Sequence, residues 1–562
     1  MKNSNKGKRA EGELLFLPLG GVGEIGMNLA VYGYGTAEDR EWLIVDMGVS
    51  FAGADLPGAD LILPDIRFLE NERHNIRGLV LTHAHEDHFG AVLDLWPRLR
   101  MPVYCTAFTA GLLEVKRETD FSTHEIPLHV FKAGDKFELG SFALEAIEVS
   151  HSIPDAVSLA LRTPPGTIIH TGDWKIDKEP SLGGKTNEAR FRALGKAGVL
   201  ALICDSTNAG VDMQAPSETE IGHNLGKIIE EAKGCVAVTS FASNVGRLKS
   251  VAMAAAKAGR YVLPVGRSMK RCLNIAAELG YMEGVPPFLS EEDYAGTPRN
   301  RLVLLLTGSQ GERRAALAKI ARDEMRDISL NAGDILVYSS RTIPGNERAV
   351  IDTQNLLIDR GIKIITDHDA LVHVSGHPYQ SQLRQIYDWV KPEILVPVHG
   401  EAVHLAAQAD FAARNGIEHV MEIRNGDMLR LAPGRPEIID DVPAGRIYKD
   451  GNLLGDENEL GISVRRKLAY AGYLSVSLLL TKSGSLADTP EIAAVGLPET
   501  DNHGTIMEDR LLEVIETVID NLPLNRRRDP EIVREAVYKT VRSAIYEIWG
   551  KKPLTNVFIH RC

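Results

Sequence analysis

The sequence predicts an α/β protein of several domains whose chemistry sits at strand ends. Two observations carry this. An apolar, β-rich run from Gly78 to Leu81 leads straight into His83, His85, Asp87 and His88. Farther on, from roughly 209 to 370, strand-like runs, small-residue loops and helical stretches alternate. That alternation is the pattern of a parallel sheet with crossover helices.

The H-x-H-x-D-H stretch comes first because the rest of the chain is organised around it. On an extended strand end His83 and His85 point the same way, since side chains alternate with period 2. Asp87 and His88 fall at a strand-to-helix turn, Asp87 near the helix start and His88 turning back toward the first pair. Imidazole and carboxylate together suit zinc or a similar first-row divalent ion. A polar loop with chance histidines does not account for that density. Four ligands do not complete a two-metal hydrolase, so other strand ends should supply more.

Composition sets the bounds. At 562 residues the chain exceeds one comfortable core, and two to four domains are expected. A hydrophobic content of 44% with 25% charged residues is that of an ordinary globular protein. Five cysteines are scattered without a Cys-x-x-Cys pair, which argues against a disulfide framework and a thiolate zinc site and fits a reducing cytoplasm. Met1 to Ala10 is polar and basic but leads into no apolar signal core, and no run approaches the ~20 apolar residues of a membrane span. A cytoplasmic protein with no membrane partner is expected. The net charge of −13 counts against a nucleic-acid partner. Two bound dications and a local basic lining can reverse that field inside one cleft, so charge leaves the partner open.

Taken in order, Glu13–Leu19, Asn28–Tyr34 and Trp42–Asp46 read as strands. The turn Gly21-Val-Gly23-Glu-Ile-Gly26 matches a dinucleotide-binding fingerprint on paper, with Asp46 downstream. The residues after Gly26 are β-like where a helix should open, so a hairpin beside the metal cleft is the better reading. Gly184-Lys185-Thr186 resembles a phosphate-loop ending, but Glu179 stands where the first glycine belongs. Ala91–Leu99 reads as a helix and Pro102–Thr106 as a strand. Strand 142–150 ends at His151, which Pro154 holds on a loop. Strand 167–170 ends in Gly172-Asp173, strand 199–204 in Asp205, and strand 394–398 in His399. Helix 380–390 precedes the last of these. In the alternating region the strand ends carry Phe241-Ala-Ser243-Asn244, Thr307-Gly-Ser309-Gln and Ser340-Arg341-Thr, loops able to turn backbone N–H groups toward an anion. Plain tight turns remain the alternative for each loop. A Gly- and Asp-rich thread, Asp440 to Asp456, marks a boundary, and the remainder reads as strands 473–481 and 491–495, amphipathic helices 508–521 and 530–549, and strand 555–559.

The set His83, His85, Asp87, His88, His151, Asp173, Asp205, His377 and His399 resembles the β-CASP branch of the metallo-β-lactamase superfamily, whose members cut nucleic acid. Within it, Gly20-Gly-Val-Gly-Glu-Ile-Gly-Met-Asn28, Ser240-Phe-Ala-Ser-Asn244, Gly308-Ser-Gln-Gly-Glu312, Ile343-Pro-Gly-Asn-Glu347 and His373-Val-Ser-Gly-His377 are similar to the bacterial ribonuclease J family. The resemblance covers residues 13 to about 450 and continues more loosely beyond.

It implies a metallo-β-lactamase αββα sandwich (1–208 and 371–448) with an inserted β-CASP parallel-sheet domain (209–370), a linker (449–462) and a small α+β domain (463–562). It implies two Zn²⁺ per subunit, with Mn²⁺ or Mg²⁺ as activating alternatives. His83, His85 and His151 would hold one ion, Asp87, His88 and His399 the other, and Asp173 would bridge. Asp87 or Asp173 would also orient the attacking water. His377 would protonate the leaving 3′ oxygen or grip the scissile phosphate, oriented by Asp205. His373, Val374, Ser375, Gly376 and His377 would form a substrate loop, with Gly376 allowing close backbone approach. Ser243, Asn244 and Ser309 are candidates for a 5′-phosphate pocket. The implied activity is 5′→3′ exonucleolytic degradation of 5′-monophosphorylated single-stranded RNA plus internal cleavage, in RNA maturation and mRNA decay. The implied assembly is a homodimer or dimer of dimers through the C-terminal domain, with RNA-decay or ribosome-associated proteins as partners. A DNA-cutting nuclease, a lactam, thioester or lactone hydrolase on the same metals, and a non-enzymatic decay scaffold are the competing readings.

Overall fold

The computed structural model describes residues 12–119 and 124–562, so the basic segment Met1 to Ala10 lies outside the described residues. The chain divides into two compact units. One comprises Met1–Ser50 with Leu63–Arg446, the other Phe51–Ile62 with Ile447–Cys562.

Two facing sheets form the heart of the first unit. One orders its strands Glu437–Asp441, Asp427–Ala432, Glu13–Gly20, Leu29–Thr36, Asp39–Val45, Ile76–Val80, Val103–Cys105, Leu128–Val130. The other runs Lys136–Leu139, Phe142–Glu148, Val157–Thr163, Gly166–His170, Ala201–Asp205, Ile394–Val398, His419–Val420. Their inner faces share one core, in which Phe16, Tyr32 and Leu43 meet Leu144, Leu159, Ile203 and Val396. Ala201–Asp205 and Ile394–Val398 pair in parallel. Both are buried nearly throughout, which is why they read as continuous apolar runs rather than alternating ones. Helix Val92–Leu99 buries Val92, Leu95, Trp96 and Leu99 and covers one side. Helices Glu188–Ala197 and Gln380–Val390, packed on each other, and Ala402–Arg414, packed on Ile394–Val398, complete the αββα sandwich. A strand, not a helix, follows Gly26, and it pairs antiparallel with Glu13–Gly20. The dinucleotide fingerprint is therefore a hairpin turn.

Between Asp205 and Ile394 the chain builds a further sheet, wholly parallel, in the order Tyr261–Val265, Leu302–Leu306, Val236–Thr239, Ile335–Tyr338, Lys363–Ile365. The connection leaving Val236–Thr239 runs toward one edge and that leaving Ile335–Tyr338 toward the other. Adjacent strands whose connections diverge leave a crevice at their carboxyl ends, where open α/β sheets bind ligands. Helix Glu218–Glu231 has no counterpart in the sequence reading. Its buried apolar residues Ile221, Leu225 and Ile229 form a single row at spacing four, with Gly222 and Gly226 beside it. The signal that was available is its capping box, Ser217 with Glu220. Helices Ala107–Thr119, Glu347–Ile358 and Ala402–Arg414 also lie outside the sequence-based elements.

In the second unit, strands Glu491–Val495, Tyr473–Leu480 and Leu554–Arg561 make one sheet. Tyr473–Leu480 alternates half-buried and buried residues. Its inward Leu474, Val476, Leu478 and Leu480 pack on Leu511, Ile515 and Ile519 of helix Met507–Asn521 and on Val533, Val537, Val541 and Ile545 of helix Pro530–Trp549. Asp440 to Asp456 is built of short strands rather than an open thread, with Arg446–Asp450 paired to Leu453–Gly455. Phe51–Ile62 joins this unit because Asp60 N–H donates to the Lys449 carbonyl and the Asp60 carboxylate accepts from Gly451 N–H. No helix among the described residues is long and apolar enough to cross a membrane.

One polar set is buried inside the first unit. Glu218 accepts from Lys175 Nζ at 3.0 Å and from Arg247 Nη2 at 2.8 Å. Burial opposes its ionisation, yet Arg247 and Lys175 hold its pKa down at about 2. A folded pKa below the ordinary 4.5 gives stability that is present above pH 4.5 and lost as pH falls toward 2. Glu218→Gln should cost about 3–5 kcal/mol at neutral pH, the penalty for breaking a buried pair from one side. It should also flatten the acid limb of the stability profile. Urea unfolding of both proteins across that pH range reads both effects.

Candidate metal centre

Every candidate ligand sits at the end of a strand or on the turn after it. His83 and His85 follow Ile76–Val80, and Asp87 and His88 lie in the short helix Glu86–Phe89. His151 follows Phe142–Glu148, Asp173 follows Gly166–His170, and His399 follows Ile394–Val398. The fold gathers them into two overlapping groups, His83, His85, His151 with Asp173, and Asp87, His88, His399 with Asp173.

Asp173 divides its two oxygens between them. Oδ2 lies 3.6 Å from His83 Nε2 and 3.5 Å from His151 Nε2, while His85 Nδ1 is 3.1 and 3.0 Å from those same nitrogens. Oδ1 lies 3.3 Å from His88 Nε2 and 3.5 Å from His399 Nε2. Asp87 Oδ2 is 3.7 and 3.9 Å from those two nitrogens and closes the second group.

The opposite side of each ring explains which nitrogen faces inward. Thr82 Oγ1 donates to Asp46 Oδ2 at 2.8 Å and so has only a lone pair to offer His83 Nδ1–H, 3.0 Å away. His88 Nδ1–H donates to Asp46 Oδ2 at 2.7 Å, His151 Nδ1–H to the Gly376 carbonyl at 2.8 Å, and His399 Nδ1–H to Asn28 Oδ1 at 2.9 Å. In all four the Nε2 lone pair is left pointing into the site. Asp46 and Asn28 carry much of this arrangement, and the sequence reading assigned neither a role. Asn28 Nδ2 also donates to the Asp87 carbonyl at 3.0 Å and lies 3.1 Å from His88 Nε2. Gly48 is required here, since a Cβ would come within 1.7 Å of the Asp87 carbonyl oxygen.

The electrostatics ask for a cation. Asp173 Oδ1 is buried without a hydrogen-bond donor. Burial pushes the pKa of Asp173 up, but His399 and His88 bring it well below the ordinary range. Burial likewise opposes protonation of His88, yet Asp173, Asp87 and Asp46 carry its pKa well above normal. His83 and His151 are driven well below theirs, chiefly by burial, and His85 to about 4. Convergent imidazole lone pairs around an orphaned carboxylate oxygen are the donor set of a two-metal site. The residues present fit two ions.

His377 lies above both groups, its ring 5.3 Å from that of His151 and 5.4 Å from that of His399. Its Nδ1–H donates to Asp205 Oδ2 at 2.8 Å, and Asp205 Oδ1 accepts from Thr207 N–H and Oγ1–H. Burial works against its charge, but Asp205 and Asp173 raise its pKa to about 9. Asp87 and His377 are the open side of the site, with side chains 29% and 22% exposed against 4% or less for His83, His88, His151, Asp173 and His399.

The rest of the expected substrate loop has other duties. A Cβ on Gly376 would meet His151 Cε1 at 2.7 Å, so the close approach the glycine allows is to His151 rather than to a substrate. Val374 is buried, and Ser375 Oγ accepts from Asn208 Nδ2 and from His377 N–H. Asn244 caps helix Val245–Lys257 through its side-chain oxygen, and Ser309 is buried beside Gln310. Ser243 is half-buried on the same turn. His373 Nδ1 is buried with no partner, as are Ser240 Oγ and Ser340 Oγ. Those two serines flank the crevice between Val236–Thr239 and Ile335–Tyr338, and Ser339 Oγ–H donates to the carbonyl of Val372, beside His373. The sequence reading placed Ser340 at the head of an anion-facing loop and Ser240 in a family motif, but only the folded chain leaves both hydroxyls buried without partners.

Comparison with known proteins agrees with this geometry. Family models match for a Ribonuclease J beta-CASP domain (233–357), a Beta-lactamase superfamily domain (41–191), a Zn-dependent metallo-hydrolase RNA specificity domain (361–421) and a Ribonuclease J C-terminal domain (460–562). The chain is 56% identical over 547 residues to Ribonuclease J of Sinorhizobium meliloti, covering 97% of both. It is 37% identical to Ribonuclease J of Mycolicibacterium smegmatis, again over 97% of both. A crystal structure of a protein of unknown function from Enterococcus faecalis V583 shares the fold, with TM-score 0.52 and 17% identity over 74% of this chain and all of that one.

Asp46→Ala would free both His83 and His88 to rotate or change tautomer. Loss of such an outer-shell carboxylate typically costs about 10–100-fold in metal affinity. Metal content by elemental analysis and zinc titration by calorimetry should show that loss while the fold, read by circular dichroism, is kept.

Proposed function

Because the chain belongs to the ribonuclease J family, we propose that it is a metal-dependent ribonuclease that degrades single-stranded RNA from a 5′ monophosphate, 5′→3′, and also cuts internally. The observation that carries the reading is the division of the Asp173 carboxylate between two histidine groups. On this reading His83, His85, His151 and Asp173 hold one zinc, and Asp87, His88, His399 and Asp173 the other. Manganese or magnesium would suit the more oxygen-rich second group. Two such ions supply Lewis acidity, activating water and offsetting charge on phosphoryl oxygens during in-line displacement.

The protein's own groups do the rest. Asp87, half-buried beside the opening of the site, is placed to accept the proton of an attacking water there. His377, charged and held by Asp205 through Nδ1, has Nε2–H to donate to the leaving 3′ oxygen. The released nucleotide then carries a 3′ hydroxyl and the remaining RNA a new 5′ phosphate. That phosphate would be received by Ser240, Ser340 and His373 at the crevice of the parallel sheet, with Ser243, Asn244 and Ser309 shaping the turns around it. Buried hydroxyls without partners support this cradle, since an unsatisfied buried polar group is costly unless a ligand completes it. The exposed Val495 and Phe558 of the C-terminal sheet support self-association as a homodimer or dimer of dimers.

The test uses purified protein and one RNA carrying either a 5′ monophosphate or a 5′ triphosphate, with and without added Zn²⁺ or Mn²⁺. Mononucleotides should be released, faster from the monophosphate, and chelation or the Asp87→Ala/His88→Ala variant should abolish release. Equal rates on both RNAs would remove the terminal cradle. No cleavage with any metal would remove the nuclease reading. Ser240→Ala combined with Ser340→Ala should erode the monophosphate preference about tenfold or more, because a hydrogen bond to a charged group is worth about 1.5–3 kcal/mol.

A further inference from the structure

One buried chain of side chains links the metal ligands to the crevice, and the reading above leaves it without a task. Lys175 lies two residues after Asp173, and its N–H donates at 2.8 Å to the carbonyl of Ser150, the neighbour of His151. Its Nζ donates to Glu218 Oε1 at 3.0 Å and lies 3.3 Å from Asp177 Oδ2. Glu218 opens the first helix of the inserted sheet domain, and its N–H donates to the same Asp177 oxygen at 3.0 Å. Glu218 Oε2 accepts from Arg247 Nε at 3.0 Å and Nη2 at 2.8 Å. Arg247 Nη1 then donates to the Ser339 carbonyl at 3.1 Å, Ser339 Oγ at 2.6 Å and the Val372 carbonyl at 3.2 Å.

Each end of this chain stops beside a group of the site. Ser150 and Lys175 flank two metal ligands, His151 and Asp173. Ser339 and Val372 precede the orphaned Ser340 and His373. Lys175, Asp177 and Glu218 also line a cleft whose walls include His151, Asn244 and Gly246. Lys175, Asp177, Glu218, Arg247 and Ser339 are each 5% exposed or less, so none of them offers a free group to RNA. Burying two ion pairs contributes little stability compared with apolar packing of the same volume. Directional hydrogen bonds do hold one geometry, which apolar packing would leave free to slide.

We infer that Lys175, Glu218 and Arg247 are positioning residues, a strut that sets the distance between the terminal-phosphate cradle and the metal ligands and thereby the length of the product released. The inference rests on the terminal cradle proposed above. A strut of different length moves the scissile bond relative to the metals for RNA anchored by its 5′ end. It leaves internal cleavage unaffected, because an internal site is not anchored there.

The experiment compares wild type with Arg247→Lys, which shortens the fork and removes two donors, and with Lys175→Met combined with Glu218→Gln, which removes one charge of each sign. Both are assayed on 5′-monophosphorylated linear RNA, with product lengths resolved, and on a circular RNA that has no 5′ end. Misplacing reactants by about 1 Å costs up to about 100-fold, so kcat for mononucleotide release should fall at least about tenfold with KM little changed. Di- and trinucleotides should appear among the products, while circular RNA is cut within about twofold of wild type. Equal losses on linear and circular RNA in both variants, or unchanged product lengths in both, would overturn the strut. A wild-type enzyme that cuts circular RNA but ignores the 5′ end of linear RNA would instead overturn the cradle, and the strut with it.

Discussion

A single buried carboxylate, that of Asp173, is the constraint on which the site depends. It is 2% exposed, one of its oxygens lacks a hydrogen-bond donor, and imidazoles from three separate strand ends converge on it. A lone buried anion would cost several kcal/mol. The fold tolerates it because His88 and His399 stand on one side and His83 and His151 on the other, each with its second nitrogen already committed. Those commitments reach back to Asp46, Asn28, Thr82 and Gly376, on four different stretches of chain. Hence strand Glu13–Gly20 with its glycine turn, Gly48 beneath Asp87 and the loop 373–377 above His151 can be understood as consequences of one charge.

What the sequence revealed about this site follows from how its ligands are distributed. His83, His85, Asp87 and His88 are dense in sequence because one strand end and one turn deliver all four. His151, Asp173, Asp205 and His399 were legible one at a time because each closes an apolar run, and a polar residue at the end of a buried strand is conspicuous. Asp46 ends a strand in the same way, but a glycine pattern upstream drew it into a dinucleotide motif that the strand after Gly26 rules out. Asn28 closes the glycine motif of the family resemblance, but its role rests on contacts to residues 59 and 371 positions away. Gly376 was legible as a close approach, yet what approaches is His151, a relation only the folded chain contains.

Fold elements divide along a similar line. Four strands of the parallel sheet are buried almost throughout and were read to within a residue or two, whereas the edge strand Lys363–Ile365, exposed at its start, was not read. Tyr473–Leu480 alternates cleanly because one face is covered by two helices. Glu218–Glu231 escaped because a helix that buries only one row of side chains leaves a weak periodic signal. Phe51–Ile62 belongs with the C-terminal unit through hydrogen bonds of the Asp60 N–H and carboxylate to main-chain groups of Lys449 and Gly451, partners that have no residue signature.

The net charge of −13 and an RNA substrate are compatible once the location of the charges is considered. Inside the first unit the acidic groups nearest the site are internally neutralised. Glu218 and Asp177 face Arg247 and Lys175, Asp205 faces His377, and Asp46 faces His88. Asp87 and Asp173 are the anions left for cations to complete. A phosphodiester approaching the open side between Asp87 and His377 would therefore meet a raised-pKa imidazolium and, on the proposed reading, two metal ions, with little uncompensated negative charge. The same pairing that makes the interior tolerable makes the cleft attractive to phosphate, and bulk composition registers neither.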